Sequence, residues 1–274
     1  MNNPKLNFEQ LTIPEYFWQR KRNEAIKIIV RNIEKIFPES VQQYKIADIG
    51  SGAGVDTFLL FDYLKTKRGN KINLTGLDGN EQAVLTGNKR VKDKHHHDRI
   101  KFILQDITAR LPFEDNELDF VYCSEVVEHM ISPEAILQEF KRILKKGGHL
   151  FLTTMNQPNV FEFAYWRNLF SRTIKPASKE LDIFETCMVN NKPVNIYGHI
   201  SVRPIPAWDN SLKATGFDLA DFGRGAIRYA LPASLDKNSF MEKMLFSSEA
   251  FLDIFPRQWT RGLSSQLIGL YKSR

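Results

Sequence analysis

Short apolar runs recur along the first half of the chain, at 45–49, 72–77, 100–105, 118–123 and 149–154. Most are followed by a stretch whose apolar residues return every three or four positions, the spacing of one helical face. Buried strands alternating with amphipathic helices predict a parallel sheet with crossover helices. Ahead of them, RKRNEAIKIIVRNIEKIF at 20–37 places Ile26, Ile29, Val30, Ile33 and Phe37 on one helical face with Lys and Arg opposite, and Pro38 stops that helix.

Boundary chemistry sharpens this outline. Asn80 is placed to cap the helix after the second strand, and Ser132 with Pro133 to open the helix before the fifth. That helix, 133–145, closes with Lys145, Lys146 and Gly147, a basic last turn and a glycine stop. After Met155 the rhythm breaks, and residues 156–198, rich in aromatics, Asn and Pro, are expected to form a lid beside the strand ends. IPAWDNSLKATG then reads as a helix and FDLADFG and QLIGLYK as strands, separated by an insertion at 226–260. One domain is expected over 1–274: an N-terminal helical segment (1–43), a core (44–155), the lid (156–198) and a C-terminal part of the sheet (199–274). The HHH run at 95–97 reads as a solvated turn.

Composition narrows the function classes. With 42% hydrophobic and 26% charged residues, neither disorder nor a membrane-embedded body is indicated. No apolar run nears the roughly 18 residues that a bilayer span needs. The start MNNPKLNFEQ lacks the order of a signal peptide, so the cytoplasm is the expected location. Cys123 and Cys187 have no zinc or redox spacing and read as reduced thiols. A net charge of +6 suits nucleic acid, an anionic membrane surface or a phosphorylated partner. No RNP-like aromatic motif or zinc-finger spacing supports nucleic acid, which is not expected as a partner.

The strand KIADIG runs directly into Gly50-Ser51-Gly52-Ala53-Gly54. Glycines there let the backbone take positive φ and approach a ligand, while the N–H groups of the following helix attract an anionic group. A dinucleotide fingerprint would need glycine where Val55 stands, which disfavours NAD. The pattern Asp48-x-Gly50-x-Gly52-x-Gly54 resembles the first motif of class I S-adenosylmethionine-dependent methyltransferases. The resemblance continues through INLTGLD, KFILQD, LDFVYCSEVVEHM and KRILKKGGHLFLTT, covering residues 44–155, and more softly through YFWQRKRN at 16–23 and GHISVRPIPAWDNSLKATGF. It implies a Rossmann-like, doubly wound α/β fold: seven strands, mostly parallel, the last antiparallel, with helical lid insertions. It also implies S-adenosylmethionine as cofactor, held by Asp48, Gly50, Ser51, Gly52 and Gly54 at its amino-acid end, Asp78 and Gly79 at the ribose, Asp106 and Ile107 at the adenine, and Ser124 nearby. Each acid alone would also serve as a helix cap.

An alcohol acceptor must lose its proton as the methyl arrives, which calls for a base or a metal. In SEVVEHM, Glu125, Glu128 and His129 leave the fourth strand together, and His129 is the best base candidate; Glu128 and His129 would otherwise orient the loop. Glu-x-x-Glu-His with the later His199 also resembles the magnesium site of small-RNA 2′-O-methyltransferases and of ubiquinone-pathway O-methyltransferases, which implies Mg²⁺ on Glu125, Glu128, His129 and His199. In the lid, Phe161, Phe163, Tyr165, Trp166 and Phe170 read mainly as core, with Tyr165 and Trp166 expected to touch the acceptor. The stretch FMEKMLFSSEAFLDIFPRQW suggests peripheral membrane association or a subunit contact. The reading is an O-methyltransferase acting on a small-molecule, sugar or lipid-linked acceptor. The alternatives are an RNA 2′-O-methyltransferase using a divalent ion and a non-catalytic S-adenosylmethionine-binding module.

Overall fold

The computed structural model describes residues 11–12, 15–96, 98–157, 183–227, 231–232 and 251–274. Seven strands form the central sheet: β1 (Tyr44–Ile49), β2 (Ile72–Asp78), β3 (Ile100–Leu104), β4 (Leu118–Ser124), β5 (Leu144–Met155), β6 (Phe217–Phe222) and β7 (Gln266–Ser273). Their order is β3-β2-β1-β4-β5-β7-β6; β7 is antiparallel to both its neighbours and the other six share one direction. The expected Rossmann-like fold is therefore the one adopted. All the predicted strands are present, each within a few residues of its expected bounds except β5, which starts earlier.

Side chains on successive residues leave a strand on opposite faces, and β4 shows the consequence. Phe120 and Tyr122 join an apolar layer with α1 (Glu15–Arg31), α2 (Val55–Arg68) and α3 (Glu81–Asp93), whereas Val121 and Cys123 join the opposite layer with α4 (Pro133–Ile143) and α5 (Ile205–Thr215). Both cysteines are buried free thiols. Among the described residues, no helix is long and apolar enough to cross a membrane.

Several local expectations need correction. The 20–37 helix divides at Asn32, whose amide N–H reaches the carbonyls of both Ile28 and Ile29, and a separate turn spans Ile33–Ile36. Its buried stripe runs through Phe17, Lys21, Glu24, Ala25, Ile28 and Ile29, leaving Val30 exposed. Apolar spacing alone could not find a face that includes a buried lysine and glutamate. Asn80 does cap α3, accepting from the Ala83 N–H at 3.0 Å, but Ser132 makes no side-chain cap bond to α4, whose first position is Pro133. His96 packs its ring against Phe61, centroids 5.0 Å apart, so the histidine run is not wholly solvated. The described part of the lid is a hairpin, Ile183–Val189 and Lys192–Tyr197. Asn190 and Asn191 take φ of +52° and +62° at its tip, the conformation that a two-residue hairpin turn requires.

The Phe102 ring is enclosed by three glycines: a Cβ added at Gly54, Gly76 or Gly87 would fall 2.5, 2.6 or 2.8 Å from it. Alanine is normally worth about 1 kcal/mol over glycine within a helix. Gly87→Ala in α3 is nonetheless expected to lower stability, because forcing the ring aside costs about 1–3 kcal/mol. Thermal unfolding checks this, and adding Phe102→Leu should recover part of the loss.

Candidate active site

The chain leaves β1 through Gly50, Gly52 and Gly54, with φ of +75°, +52° and +84°. A Cβ on Gly50 would sit 2.2 Å from Val126 Cγ2, so both conformation and space demand glycine. The Gly50 and Ser51 N–H groups donate to the Leu77 carbonyl at 2.8 and 3.0 Å. Next to it, the Asp78 carboxylate accepts from the Gly52 N–H at 2.7 Å and the Asn80 N–H at 2.8 Å.

A cavity of about 170 Å³ opens at these strand ends, lined by Gly50, Asp78, Gly79, Asp106, Ile107 and Glu125, with Cys187 and Val194 of the hairpin opposite. Asp106 presents one oxygen, Oδ1, to the Thr108 N–H (2.9 Å) and hydroxyl (2.6 Å). Asp48, Ser51, Gly52, Gly54 and Ser124 are not among the residues that line it. Asp48 is 2% exposed and accepts from the Thr57 hydroxyl at 2.5 Å. Burial pushes its carboxyl up to about 7, the Thr57 bond opposing the rise. Ser124 Oγ accepts from Lys21 Nζ at 2.7 Å and pairs with Thr153 Oγ1 at 2.9 Å. Lys21 and Arg22 also clasp Asp56 at 3.0 and 2.9 Å. Burial alone would raise the Asp56 pKa, but these two cations hold it below the ordinary carboxylate value.

Beyond β4, Glu125 adopts a left-handed φ of +57° before the 3₁₀ turn Val127–His129. Thr153 and Gln266 donate to Glu125 Oε1 at 2.7 and 2.8 Å. Glu128 is fully buried; Thr154 donates to its Oε2 at 2.9 Å, and among the described residues none donates to its Oε1. Burial, then the neighbouring Glu125 charge, raises the Glu128 pKa well above the usual range. His129 Nδ1 lies 2.8 Å from the Tyr197 carbonyl of the hairpin. A carbonyl only accepts, so Nδ1 carries the proton and the lone pair of the neutral ring is at Nε2. The His199 ring lies 4.9 Å from that of His129, and partial burial followed by His129 lowers its pKa.

Three of the four predicted ligands converge: atoms of Glu128, His129 and His199 all lie within 4.8 Å of one another, whereas Glu125 is outside that group. A second cavity of about 420 Å³ adjoins the first, sharing Asp106, Thr108, His129, Met130, Val194 and Asn195 and adding Ile131, Ala135, Ile136 and Pro193. Phe161, Phe163, Tyr165, Trp166 and Phe170 lie outside the described residues. Sequence reasoning missed Val194 and Cys187, although Asn190-Asn191 between alternating runs was a usable hairpin signal. It also missed Gln266 and Thr153, which no local motif marks.

A family model described as a methyltransferase domain matches residues 21–200. The chain belongs to the class I S-adenosylmethionine-dependent methyltransferase family. Curated relatives include a demethylmenaquinone methyltransferase of Bacteroides fragilis, 26% identical over 50% of this chain and 54% of that protein. A ubiquinone biosynthesis O-methyltransferase of Glaesserella parasuis is 30% identical over 41% and 46%. A ubiquinone/menaquinone biosynthesis C-methyltransferase of Roseobacter denitrificans is 28% identical over 65% and 68%. The matched region spans about half the length of the first two of these relatives. Among solved structures, geranyl diphosphate C-methyltransferase from Streptomyces coelicolor superposes with a TM-score of 0.53 at 13% identity, covering 91% of this chain and 77% of that one. The cyclase SpnF does so at 0.51 and 16%, covering 89% and 80%. Likeness this distant establishes the fold alone, and the presence of a cyclase shows that the fold does not fix the reaction.

Asp48 supplies a pH test of the buried scaffold. Its folded pKa of about 7 exceeds the ordinary 3.8, so the folded state binds the proton more tightly and its stability contribution falls as pH rises between those values. Asp48→Asn removes this dependence. Its melting temperature should gain on the wild type as pH is raised from about 5 to about 8, with a ceiling on the order of 3 kcal/mol; a parallel course of the two would contradict the buried acid.

Proposed function

We propose that this chain transfers the methyl group of S-adenosylmethionine to a hydroxyl of a small acceptor with an apolar body, such as a lipid-linked ring or sugar. The observation that carries this reading is the pair of adjoining cavities with His129 at their junction. In the inner one, the glycine turn suits the amino-acid end, the Asp78 carboxylate suits a ribose diol, and Asp106 suits the adenine amino group. Half of the outer lining is apolar, Met130, Ile131, Ala135, Ile136, Pro193 and Val194, which suits the apolar body of an acceptor, while Thr108, Ser132, Asn195 and Tyr197 offer polar groups beside His129. The names of the quinone-pathway relatives favour an acceptor with an apolar body and include both an O- and a C-methyltransferase; the choice of a hydroxyl rests on His129.

S-adenosylmethionine supplies a methyl group already activated by its sulfonium, so the protein's work is alignment and proton removal. His129 Nε2, with Nδ1 committed to Tyr197, takes the acceptor proton as the new O–C bond forms and the S–C electron pair returns to sulfur. Glu128 lies within 4.8 Å of ring nitrogens of His129 and His199, and the Thr154 bond holds it in place.

A second reading draws on the Glu128 Oε1, to which no described residue donates, beside two imidazoles. Those residues fit a divalent cation, which would lower the pKa of a coordinated hydroxyl. One carboxylate and two ring nitrogens suit Mn²⁺ or Zn²⁺ better than Mg²⁺, which prefers oxygen ligands. Loss of turnover on chelation, restored by one of these ions, would favour this reading over unaided His129.

Two outcomes test the assignment. S-adenosylhomocysteine should raise the melting temperature of the wild type, and Asp78→Ala should weaken that binding roughly ten- to a hundredfold, read by calorimetry. His129→Ala should lower kcat by about 10²–10⁴ while leaving S-adenosylhomocysteine affinity nearly unchanged; an equal loss of both would place His129 in cofactor binding instead.

A further inference from the structure

We infer that Ser201 is a positioning residue for His129, holding the turn that carries the imidazole; the inference rests on the reading of His129 as the base. The 3₁₀ turn Val127–His129 is only three residues long, too short to satisfy its own backbone. The His129 and Met130 N–H groups reach back to the Val126 and Val127 carbonyls. The carbonyls of Glu128 and Met130, on either side of His129, are met from outside the turn.

Those donors come from two consecutive residues just after the hairpin. The Ile200 and Ser201 N–H groups donate to the Glu128 carbonyl at 3.0 and 2.9 Å, and the Ser201 hydroxyl donates to the Met130 carbonyl at 2.6 Å. Four residues before Ser201, the same segment offers the Tyr197 carbonyl to His129 Nδ1. One strap thus touches residues 128, 129 and 130. Any residue but proline supplies the two N–H groups; the bond to Met130 needs a hydroxyl, which singles out Ser201.

The strap can bear on the turn because its far end is fixed. The Arg203 carbonyl accepts from the Gln157 N–H at 3.2 Å, and its guanidinium pairs with Glu134 in the first turn of α4 and lies 4.9 Å from the centroid of the Trp208 ring. Asn156 accepts from the Ile205 N–H at 3.0 Å and donates to the Ser264 carbonyl at 2.6 Å, which ties the start of α5 to the end of β5 and the approach to β7. What the hydroxyl secures is alignment. A neutral imidazole keeps its proton on Nδ1 for as long as that nitrogen stays within hydrogen-bond distance of Tyr197. Without the Ser201 hydroxyl the strap holds the turn at the Glu128 carbonyl, and the bond on the other side of the ring is lost.

The test is nitrogen NMR of the His129 ring in the full chain, with S-adenosylhomocysteine and a chelator present, at alkaline pH where imidazoles are neutral. The signals are assigned by their loss in His129→Ala. The wild type should show one tautomer, with the proton on Nδ1. Ser201→Ala should enlarge the other tautomer roughly two- to tenfold, the worth of one neutral hydrogen bond, while its thermal stabilisation by S-adenosylhomocysteine stays unchanged. Ser201→Thr, which keeps the hydroxyl, should restore the wild-type signals. An unaltered ring in Ser201→Ala, mixed tautomers already in the wild type, a threonine variant that behaves as the alanine one, or a Ser201→Ala protein that S-adenosylhomocysteine no longer stabilises would each overturn the inference. The ring signals require no acceptor: they can stay unaltered in Ser201→Ala while His129→Ala abolishes turnover, or shift as expected while His129→Ala turns over normally, so the two ideas fail separately.

Discussion

The Leu77 carbonyl accepts from both Gly50 and Ser51, and the Asp78 carboxylate beside it accepts from Gly52. A turn with three left-handed glycines has no side chains at those positions to hold it, so the neighbouring strand must do so. The exit of β1 is thereby locked to the exit of β2. Val126, whose methyl occupies the space a Gly50 side chain would need, brings the exit of β4 into the same contact. The positions of Asp78, Glu125 and His129 relative to one another all follow from this join.

The parts of this arrangement that could be read from the sequence are those made by neighbours in the chain. Asp48, Gly50, Gly52 and Gly54 announce themselves by spacing, and Asp78 and Asp106 by closing their strands. What was hidden depends on long-range contact. Lys21 and Glu24 are buried in α1 because they face Asp56 and the sheet end, so the helix hides polar groups that periodicity assigns to solvent. Gln266 reaches Glu125 from 141 residues away, and nothing in QLIGLYK marks its first residue as different from the rest. Val30 fails for the converse reason: it fits the apolar spacing, but the break at Asn32 ends the helix before that face can be covered.

Behind the lining runs a chain of hydrogen bonds from Asp56 through Lys21, Ser124 and Thr153 to Glu125, which Gln266 closes from the antiparallel strand. It joins α1, α2, β4, β5 and β7 around a residue in a left-handed conformation unusual for glutamate. Such a backbone persists only where its surroundings over-determine it, and here five elements do so. The site is accordingly rigid on the sheet side and depends on the hairpin for its opposite wall.

That division bears on the proposed base itself. Tyr197 belongs to the hairpin, whereas His129 belongs to the turn after β4. The nitrogen that carries the imidazole proton is thus chosen by a strand outside the central sheet. Under the proposed chemistry, basicity is conferred on the loop from across the mouth of the pocket.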